Sequence, residues 1–408
     1  MAVPIAAPPL LYLDRYRNEG TRTYSRHASY TEAEERYRPT STQETFDLDA
    51  AEMPTDRMNV YTANPPSGLS AHYLRNEKVL FLTHPQVMAR CADDPYVTRT
   101  RDLGTACDPV PVSPTSSTRT LLVHEGDPAH AVKVHFPFRV SRYQRRMRDE
   151  VVHQAVNVSK ELEEAVPDLD GDFAFLREVI GVTHQDLEPG AARGENWGFL
   201  VREMEPYPRR GRTGHLVPGF ALYGKDVFDP GARPLLLDLI AARDRVGVVL
   251  EKVLFPIIRH WVSAFLRLGY ILEPHGQNVL LELGPDGDIV RIVHRDLSLG
   301  IDMRRRRDAG LPDGDLNAYN RMQTGDFASI AYDKFMGGHF FQRVVETLHD
   351  DDASVCAEDL QGACREEFAR LFPEYRSYLP ETVRYFSEKR DQFGKPLFQD
   401  TGQAPVWR

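Results

Sequence analysis

The sequence predicts an α+β fold of several domains, in which a β-rich portion packs against a mainly helical portion. Residues 117–123 and 131–140 are rich in β-branched and aromatic residues and are joined by a turn at 125–128, as expected for two strands. Residues 235–268 are so apolar that we expect helices at the centre of a helical layer, broken near Pro256. We expect the two portions to enclose a cleft.

The length of the chain limits the number of domains. With 408 residues it can form two or three domains and bury a large core. Residues 1–75 show little sustained periodicity and are expected to be a weakly structured arm or a reduced lid. Residues 76–230 are expected to form the β-rich portion, and residues 231–408 the mainly helical portion.

Composition argues against several classes of partner. The formal net charge of -10 disfavours a general nucleic-acid or membrane-surface partner, because binding to phosphate-rich surfaces needs a net basic face. The four cysteines have neither CxxC nor Cys/His zinc spacing, so we expect reduced thiols. Residues 1–11 do not resemble a signal peptide, and no apolar run is long enough to cross a membrane. We therefore expect a cytoplasmic protein.

One face of the strand predicted at 131–140 is polar. Val132 and Val134 alternate with Lys133, which must lie on the opposite face. If the hairpin is symmetric about its turn, Thr120 lies opposite Lys133 with Arg119 nearby, and these groups together would hold a phosphate. The same residues also fit an ordinary hairpin with a solvated polar face, and for these residues alone we favour that explanation.

A basic run comes next, over residues 142–148. We expect it to form the first turn of a helix whose core stripe includes Val151, Ala155 and Leu162. Positive charge at a helix N-terminus opposes the macrodipole. Arginines such as Arg145 are therefore either solvated or retained for an anionic ligand.

A short hairpin is predicted between residues 273 and 296. Residues 278–283 and 289–293 have the pattern of two strands joined by a tight turn. The hairpin brings Asp296 back beside His275 and Asn278. A carboxylate, an amide oxygen and an imidazole at one end of a ribbon suit Mg²⁺ that is held together with the phosphates of a nucleotide.

In their order along the chain, these signals resemble the siderophore synthetases that work independently of nonribosomal peptide synthetases, the aerobactin synthetase (IucA/IucC) family. The likeness covers residues 80–300. It rests on Leu82–Pro85, similar to a His-Pro-Trp-Gln strand of the family, on Ser117–Thr120, on Lys133 with Arg145, and on Glu273–Asn278 followed by Arg295-Asp296. Family members are usually longer before this region, so the resemblance implies a short variant with a reduced N-terminal domain.

The resemblance implies an ATP-dependent ligase that activates a carboxylic acid as an acyl adenylate and joins it to an amine or hydroxyl. AMP and diphosphate would be released, in siderophore or other specialised-metabolite biosynthesis. The cofactors would be ATP and Mg²⁺, with residues 76–230 as the ATP-binding portion. The implied catalytic residues are Lys133, Arg145 and His275. The nucleotide would be held by Ser117, Arg119, Thr120, Lys133, His275, Asn278 and Asp296, and magnesium by Glu273, Asn278 and Asp296.

The acid substrate is expected to be polyanionic, either citrate-like or a dicarboxylate. Arg119 and Arg145, with Arg146 as a further candidate, would cluster at the edge of the site, and guanidinium groups bind carboxylates in a bidentate way. If one arginine serves the α-phosphate and the others are solvated, a single carboxylate would suffice. A homodimer is compatible with the resemblance.

Two other functions stay open. The sequence His294-Arg295-Asp296 imitates the catalytic loop of kinase-like small-molecule phosphotransferases, although no Asn follows at the expected few residues and no Gly-rich loop precedes Lys133. Formation of ADP, rather than AMP and diphosphate, would indicate such an enzyme. A nucleotide-binding pseudoenzyme would bind ATP without turnover.

Overall fold

The fold is taken from a computed structural model that describes residues 9–22, 29–141, 143–187, 197–211, 214–240, 244–313, 316, 321–322, 324–390 and 396–408. The helices in this part of the chain are α1 (Leu10–Tyr16), α2 (Ser67–Tyr73), α3 (Pro85–Arg90), α4 (Pro95–Leu103), α5 (Asp149–Ala165), α6 (Leu235–Leu239), α7 (Arg245–Val249), α8 (Phe255–Leu268), α9 (Met303–Asp308), α10 (Asp326–Ser329), α11 (Gln342–Asp351), α12 (Ala357–Leu371) and α13 (Tyr375–Tyr378). Two π-helical segments, Leu250–Leu254 and Ile330–Phe341, lead into α8 and α11.

The strands in the same residues are β1 (Phe46–Pro54), β2 (Met58–Thr62), β3 (Leu74–Arg75), β4 (Lys78–Thr83), β5 (Thr105–Ala106), β6 (Val110–Pro114), β7 (Thr120–Val123), β8 (His130–Val134), β9 (Phe136–Val140), β10 (Tyr143–Arg145), β11 (Ala174–Phe175), β12 (Glu178–His184), β13 (Gly198–Glu203), β14 (His215–Pro218), β15 (Tyr270–Ile271), β16 (Val279–Leu283), β17 (Ile289–His294), β18 (Gly300–Asp302), β19 (Arg321–Met322), β20 (Arg384–Arg390) and β21 (Pro396–Asp400). Together, the strands and helices confirm the predicted mixed α+β class.

A large antiparallel sheet forms the first layer. Its strand order is β2-β12-β13-β8-β7-β6-β1-β4-β3, with β5 paired to β1. Helix α5 packs across β12, where Gly181 allows a close approach: a Cβ at this position would lie 2.5 Å from Val152 Cγ1. Strands β7 and β8 pair in the predicted register, with Thr120 opposite Lys133.

The helical layer is built around α8. The side chains of Ile257, Ile258, Trp261 and Phe265 are fully buried there, as predicted. The helix ends at Gly269, which has φ +69° and so adopts the left-handed conformation that ends many helices. The chain then enters the predicted hairpin.

The hairpin of β16 and β17 belongs to a smaller sheet with the order β11-β17-β16-β14. Its register pairs Val279 with His294 and Leu283 with Ile289. Because this pairing returns the chain to its starting end, Asn278 and Arg295 are adjacent, and the Arg295 N–H donates to the Asn278 carbonyl at 2.9 Å. The predicted hairpin is confirmed.

Residues 46–75 differ from the expectation of a weakly structured arm. They form α2 and the strands β1 to β3, and β1 lies inside the large sheet between β4 and β6. In β1, Phe46, Leu48 and Met53 are buried. The expectation failed because charged residues occupy the alternate positions and masked the apolar face. The division of the chain into domains stays a prediction.

Three segments differ from the prediction in the bounds or the type of their secondary structure. The strand expected at 117–123 begins only at Thr120, because Thr118 has φ +70° and the preceding residues form a tight turn. The strand expected at 131–140 is divided at His135, and its second half, β9, pairs with β10 instead of the large sheet. Residues 384–390 lie in the portion expected to be mainly helical but form β20.

The basic run does not begin a helix. Residues 143–145 form β10, and α5 begins after the run with Asp149 and Glu150 in its first turn, where negative charge favours the macrodipole. Arg142, the predicted start, lies outside the described residues. None of the helices in the described part of the chain is long and apolar enough to span a bilayer.

Candidate active site

A cleft of about 410 Å³ lies between the large sheet and the hairpin. All nine predicted site residues line it. They are Ser117, Arg119, Thr120, Lys133, Arg145, Glu273, His275, Asn278 and Asp296. The cleft has a sheet wall, formed by Ser117–Thr120, Lys133 and Arg145, and a hairpin wall, formed by Glu273–Asn278 and Asp296.

The turn before β7 carries the hydroxyl groups of the sheet wall. The Thr120 N–H donates to Ser117 Oγ at 3.0 Å, and Thr115 Oγ1 donates to the Thr120 carbonyl at 2.8 Å. These bonds close the turn around Thr118, whose positive φ is uncommon for a β-branched residue. The turn therefore holds Ser117, Arg119 and Thr120 in a fixed arrangement at the edge of the cleft.

Lys133 and Asp296 join the two walls. The Lys133 ammonium donates to Asp296 Oδ1 at 2.8 Å, and the lysine side chain is only 6% exposed. Burial lowers the pKa of Lys133, and the positive charge of Arg119 adds to this, whereas Asp296 opposes it. The solvated hairpin face considered in the sequence analysis is wrong for Lys133, because this side chain is enclosed by the cleft.

Two arginines extend the positive charge along the sheet wall. Arg119 Nη1 donates to the Arg145 carbonyl at 3.0 Å and contacts the Met147 sulfur at 3.2 Å. Burial, together with the neighbouring Arg145, lowers the pKa of Arg119 to about 10. Both side chains line the cleft, so Arg119, Arg145 and Lys133 create a strongly positive surface there.

The loop of the hairpin wall is fixed by its own backbone. The Asn278 N–H donates to the His275 carbonyl at 2.9 Å, and Asn278 Nδ2 donates to the Glu273 carbonyl at 3.2 Å. Gly276 is required at its position, because a Cβ would lie 2.4 Å from the Tyr223 hydroxyl. With its nitrogen engaged, the Asn278 side chain has its amide oxygen left for a ligand.

His275 is neutral at pH 7. Its Nδ1 accepts a hydrogen bond from the Gln277 N–H at 3.2 Å, which assigns the ring proton to Nε2. Burial lowers its pKa to about 4, with a further contribution from His339. The imidazole can therefore donate a hydrogen bond from Nε2 without carrying a charge.

Asp296 has a strained backbone. Its φ is +74°, which for a residue other than glycine typically costs on the order of 1–3 kcal/mol and is found most often at functional sites. Although burial alone would raise the pKa of Asp296, Lys133 and Arg202 hold it well below its ordinary value. The carboxylate is therefore ionised and held at a fixed position.

Glu273 is the second carboxylate of the hairpin wall. Burial, with a contribution from the negative charge of Asp296, raises its pKa to about 8. A cation placed between the two carboxylates would remove this repulsion. Within the described residues, no three His, Cys, Asp or Glu side chains are grouped to bind a metal ion. The donor set of Glu273, Asp296 and the Asn278 oxygen fits Mg²⁺ that retains phosphate oxygens or water as its other ligands.

Aromatic side chains also line the cleft. Its lining includes Phe220, Tyr223, Phe335, Tyr385 and Phe386. Phe335 packs edge-on against the His275 ring, with centroids 6.0 Å apart. The lining of the cleft thus combines positively charged groups, suited to phosphates and carboxylates, with aromatic side chains, suited to a flat ring.

Comparison with known proteins identifies the family. The sequence profile of the IucA/IucC family matches residues 27–224, and that of the ferric iron reductase FhuF-like transporter family matches residues 250–401. The fold also matches petrobactin biosynthesis protein AsbB from Bacillus anthracis str. Sterne, with 18% identity and a TM-score of 0.64 over 84% of this chain and 63% of AsbB. The chain belongs to the IucA/IucC-like family.

Two further solved structures share this IucA/IucC-like fold. The ATP-bound aerobactin synthetase IucA from a hypervirulent pathotype of Klebsiella pneumoniae has 15% identity and a TM-score of 0.66 over 85% of this chain and 66% of IucA. Aerobactin synthetase IucC from the same source has 13% identity and a TM-score of 0.65 over 88% of this chain and 67% of IucC. The chain thus spans about two thirds of the length of these proteins. No curated protein matches it significantly.

One of the four family-like sequence signals lies outside the cleft. His84 is fully buried at the start of α3, where its Nδ1 accepts a hydrogen bond from the Gln86 N–H at 3.1 Å. Its ring packs against Tyr37, Phe46 and Phe136. In this member of the IucA/IucC-like family the His-Pro signal therefore begins a helix and contributes to the core.

Sequence reasoning missed the contribution of the N-terminal segment. Asn18, Thr21 and Arg22 line the cleft, and Arg22 donates to the Ser116 carbonyl at 2.7 Å. Buried Asp14 pairs with Arg295 at 2.7 Å. No periodicity or motif marks these residues, since their role depends on a contact between segments far apart in the sequence.

Proposed function

We propose that this protein is an ATP- and Mg²⁺-dependent ligase that joins a carboxylic acid to an amine or hydroxyl through an acyl adenylate. The observation that carries the proposal is the Lys133–Asp296 contact, which joins two walls that each supply phosphate-binding chemistry. A binding protein would need positive charge in the cleft, but not an ionised carboxylate held beside it in a strained conformation.

In the first step, a carboxylate oxygen of the acid attacks the α-phosphorus of ATP, and the bond to diphosphate breaks. Negative charge grows on the α-phosphate and on the departing diphosphate. Lys133, Arg119 and Arg145, which all line the cleft, would stabilise this charge, and the hydroxyl groups of Ser117 and Thr120 would add hydrogen bonds. Because hydrogen bonds hold Arg119 and Thr120 before the substrate binds, little reorganisation of these two groups is needed during the reaction.

The hairpin wall would supply the metal and a neutral donor. Magnesium held by Glu273, Asn278 and Asp296 would neutralise phosphate charge and orient the diphosphate as a leaving group. His275 is neutral and would donate its Nε2–H to a phosphate oxygen. In the second step the amine or hydroxyl attacks the acyl carbon, and AMP leaves with one oxygen of the original acid.

The charges in the cleft favour a polyanionic acid, citrate-like or dicarboxylic. The sheet wall contributes three cationic groups to the cleft, and the hairpin wall contributes two acidic groups. The metal would bind to the two acidic groups. If the nucleotide does not engage one of the arginines, a second carboxylate on the acid would pair with that guanidinium in a matching bidentate geometry.

The relatives support a place in siderophore or related specialised-metabolite biosynthesis. One was solved with ATP bound and carries the name aerobactin synthetase, and another takes part in petrobactin biosynthesis. We extend this class of reaction to the present chain and propose that it is a cytoplasmic enzyme. This proposal is compatible with a homodimer.

The reaction can be tested by isotope exchange. With Mg²⁺, ATP and a panel of di- and tricarboxylic acids but no amine, the enzyme should exchange labelled diphosphate into ATP only when its acid is present. Formation of ADP without exchange of diphosphate into ATP would instead indicate the phosphotransferase alternative. Binding of ATP without exchange or turnover for any acid would indicate a pseudoenzyme.

A further inference from the structure

The buried Asp14 carboxylate contacts the residues that directly precede parts of both walls of the cleft. Asp14, on α1, is only 1% exposed. Its Oδ2 accepts a hydrogen bond from Arg295 Nη1 at 2.7 Å, and its Oδ1 accepts one from the Ser116 N–H at 2.8 Å. Arg295 directly precedes Asp296 in the hairpin wall, and Ser116 directly precedes Ser117 in the sheet wall.

Arg295 passes the constraint on to the metal-binding end of the hairpin. Besides Asp14, its Nε donates to the Gln277 carbonyl at 2.6 Å, and its backbone N–H donates to the Asn278 carbonyl at 2.9 Å. The side chain of Arg295 thus connects the loop that carries Asn278 to the backbone position directly before Asp296. Because Asp296 has a strained φ, its conformation persists only if the neighbouring residues are held in place.

We propose that Asp14 is a positioning residue that sets the separation of the two phosphate-binding walls, holding the Ser117–Thr120 turn with one oxygen and the Arg295–Asp296 segment with the other. This inference rests on the proposed function, since it concerns the same nucleotide site. It assigns a role in nucleotide binding to α1, which lies in a segment expected from the sequence to be a weakly structured arm.

The chemistry at Asp14 requires a charged carboxylate. Burial alone would raise its pKa, but Arg295 and the hydrogen bonds from Ser116 outweigh burial and lower the pKa below its ordinary value. A neutral amide of the same shape could still accept from Ser116 but would offer Arg295 no charge. Loss of that charge would leave a buried guanidinium poorly compensated and free to move away from Gln277.

The variant Asp14→Asn tests this role. A matched control is Glu282→Gln, which removes the charged partner of buried Arg291 on the same hairpin, 2.5 Å away, without contact to Ser116. Lower stability alone reduces the amount of active enzyme, and so lowers kcat while leaving KM unchanged. We expect Asp14→Asn to raise the KM for Mg-ATP at least about tenfold, with a matching loss of Mg-ATP affinity by calorimetry, whereas Glu282→Gln changes neither.

A double-mutant cycle tests the proposed route through Arg295. In an Arg295→Gln background, Asp14→Asn should change the KM for Mg-ATP by less than about twofold, because its partner is already absent. If Asp14→Asn does not fold, Arg295→Lys carries the test, since an ammonium cannot serve Asp14 and Gln277 with the same fork and should raise this KM.

Two results would overturn the inference: an unchanged Mg-ATP KM and affinity in Asp14→Asn, or additive effects in the cycle. Either result is distinct from failure of the proposed function. If the wild-type protein releases no diphosphate with any acid, the ligase proposal fails, while calorimetry with Mg-ATP still reports whether Asp14 positions the walls.

Discussion

Lys133 and Asp296 lie 163 positions apart in the sequence, yet the Lys133 ammonium and the Asp296 carboxylate are 2.8 Å apart. The lysine comes from the centre of the large sheet and the aspartate from the end of the hairpin. This ion pair joins the two walls of the cleft through the two groups that, in the proposed function, would engage a nucleotide and its metal. When a nucleotide and its metal bind, Lys133 would contact a phosphate and Asp296 would contact magnesium, in place of their contact with each other.

Replacing Lys133 by alanine should lower turnover by on the order of 10²-fold or more, because its charge is needed most when negative charge grows on the phosphates. The assay is diphosphate release at saturating ATP and acid. Lys78→Ala is the matched control, since Lys78 is an exposed lysine of the same sheet, paired with Glu52. Turnover like that of the wild type in Lys133→Ala would reject the role of this residue.

The choice of acid should depend on Arg145. A dicarboxylate or tricarboxylate would offer Arg145 a bidentate contact that a monocarboxylic acid lacks, so a monocarboxylic acid should be at least about tenfold poorer than citrate or succinate by kcat/KM. Arg145→Ala should narrow that preference, and the exposed Arg75→Ala should leave it unchanged. Equal use of monocarboxylic acids by the wild type, or an Arg145→Ala variant with unaltered preference, would show that the arginines do not select the acid.

Magnesium dependence should be controlled by the hairpin wall. Chelation should abolish activity, and Mg²⁺ should restore it. Asp296→Asn should raise the Mg²⁺ concentration for half-maximal activity at least about tenfold, because a hard anionic ligand is lost. Asp286→Asn, at the exposed turn of the same hairpin, serves as the control. A titration curve for Asp296→Asn that coincides with that of the control would remove Asp296 from the metal site.

Stability should fall on acidification, partly through His84. Burial lowers the pKa of His84 from 6.5 to about 3. Below pH 6.5 the unfolded chain takes up a proton that the folded chain excludes, so stability present above this pH is lost as the pH falls towards 3. One such histidine contributes up to about 1.4 kcal/mol per pH unit.

The variant His84→Asn isolates this contribution, because asparagine can still cap α3. Its free energy of unfolding in urea should be lower at pH 7.5 but should fall less steeply between pH 6.5 and 4.5 than that of the wild type. His349→Asn, at an exposed histidine, should keep the wild-type slope. Parallel slopes for His84→Asn and wild type would exclude His84 as a source of acid sensitivity.

The sequence was sufficient to predict elements whose pattern is local. The pairing of Thr120 with Lys133 followed from the symmetry of a hairpin, and the return of Asp296 to Asn278 followed from a second one. In both, a turn of strong local preference sets the register, so residues distant in the sequence meet predictably.

The errors arose where long-range pairing overrides local pattern. The basic run was assigned to a helix, but it continues from β9 into β10, and the acidic residues that begin α5 come later. Tyr385 and Phe386 reach the cleft from a strand that exists only by pairing with β21. Asp14 was missed because no local pattern indicates which buried charge an acidic residue will meet.

The central claim is that the acid is activated on the α-phosphorus of ATP. The most direct measurement uses acid labelled with ¹⁸O in its carboxylates, together with ATP, Mg²⁺ and an amine, and follows the label by mass spectrometry. Attack of the carboxylate on the α-phosphorus predicts one ¹⁸O in AMP and none in diphosphate. Label in inorganic phosphate together with ADP, or turnover that leaves AMP unlabelled, would contradict the account.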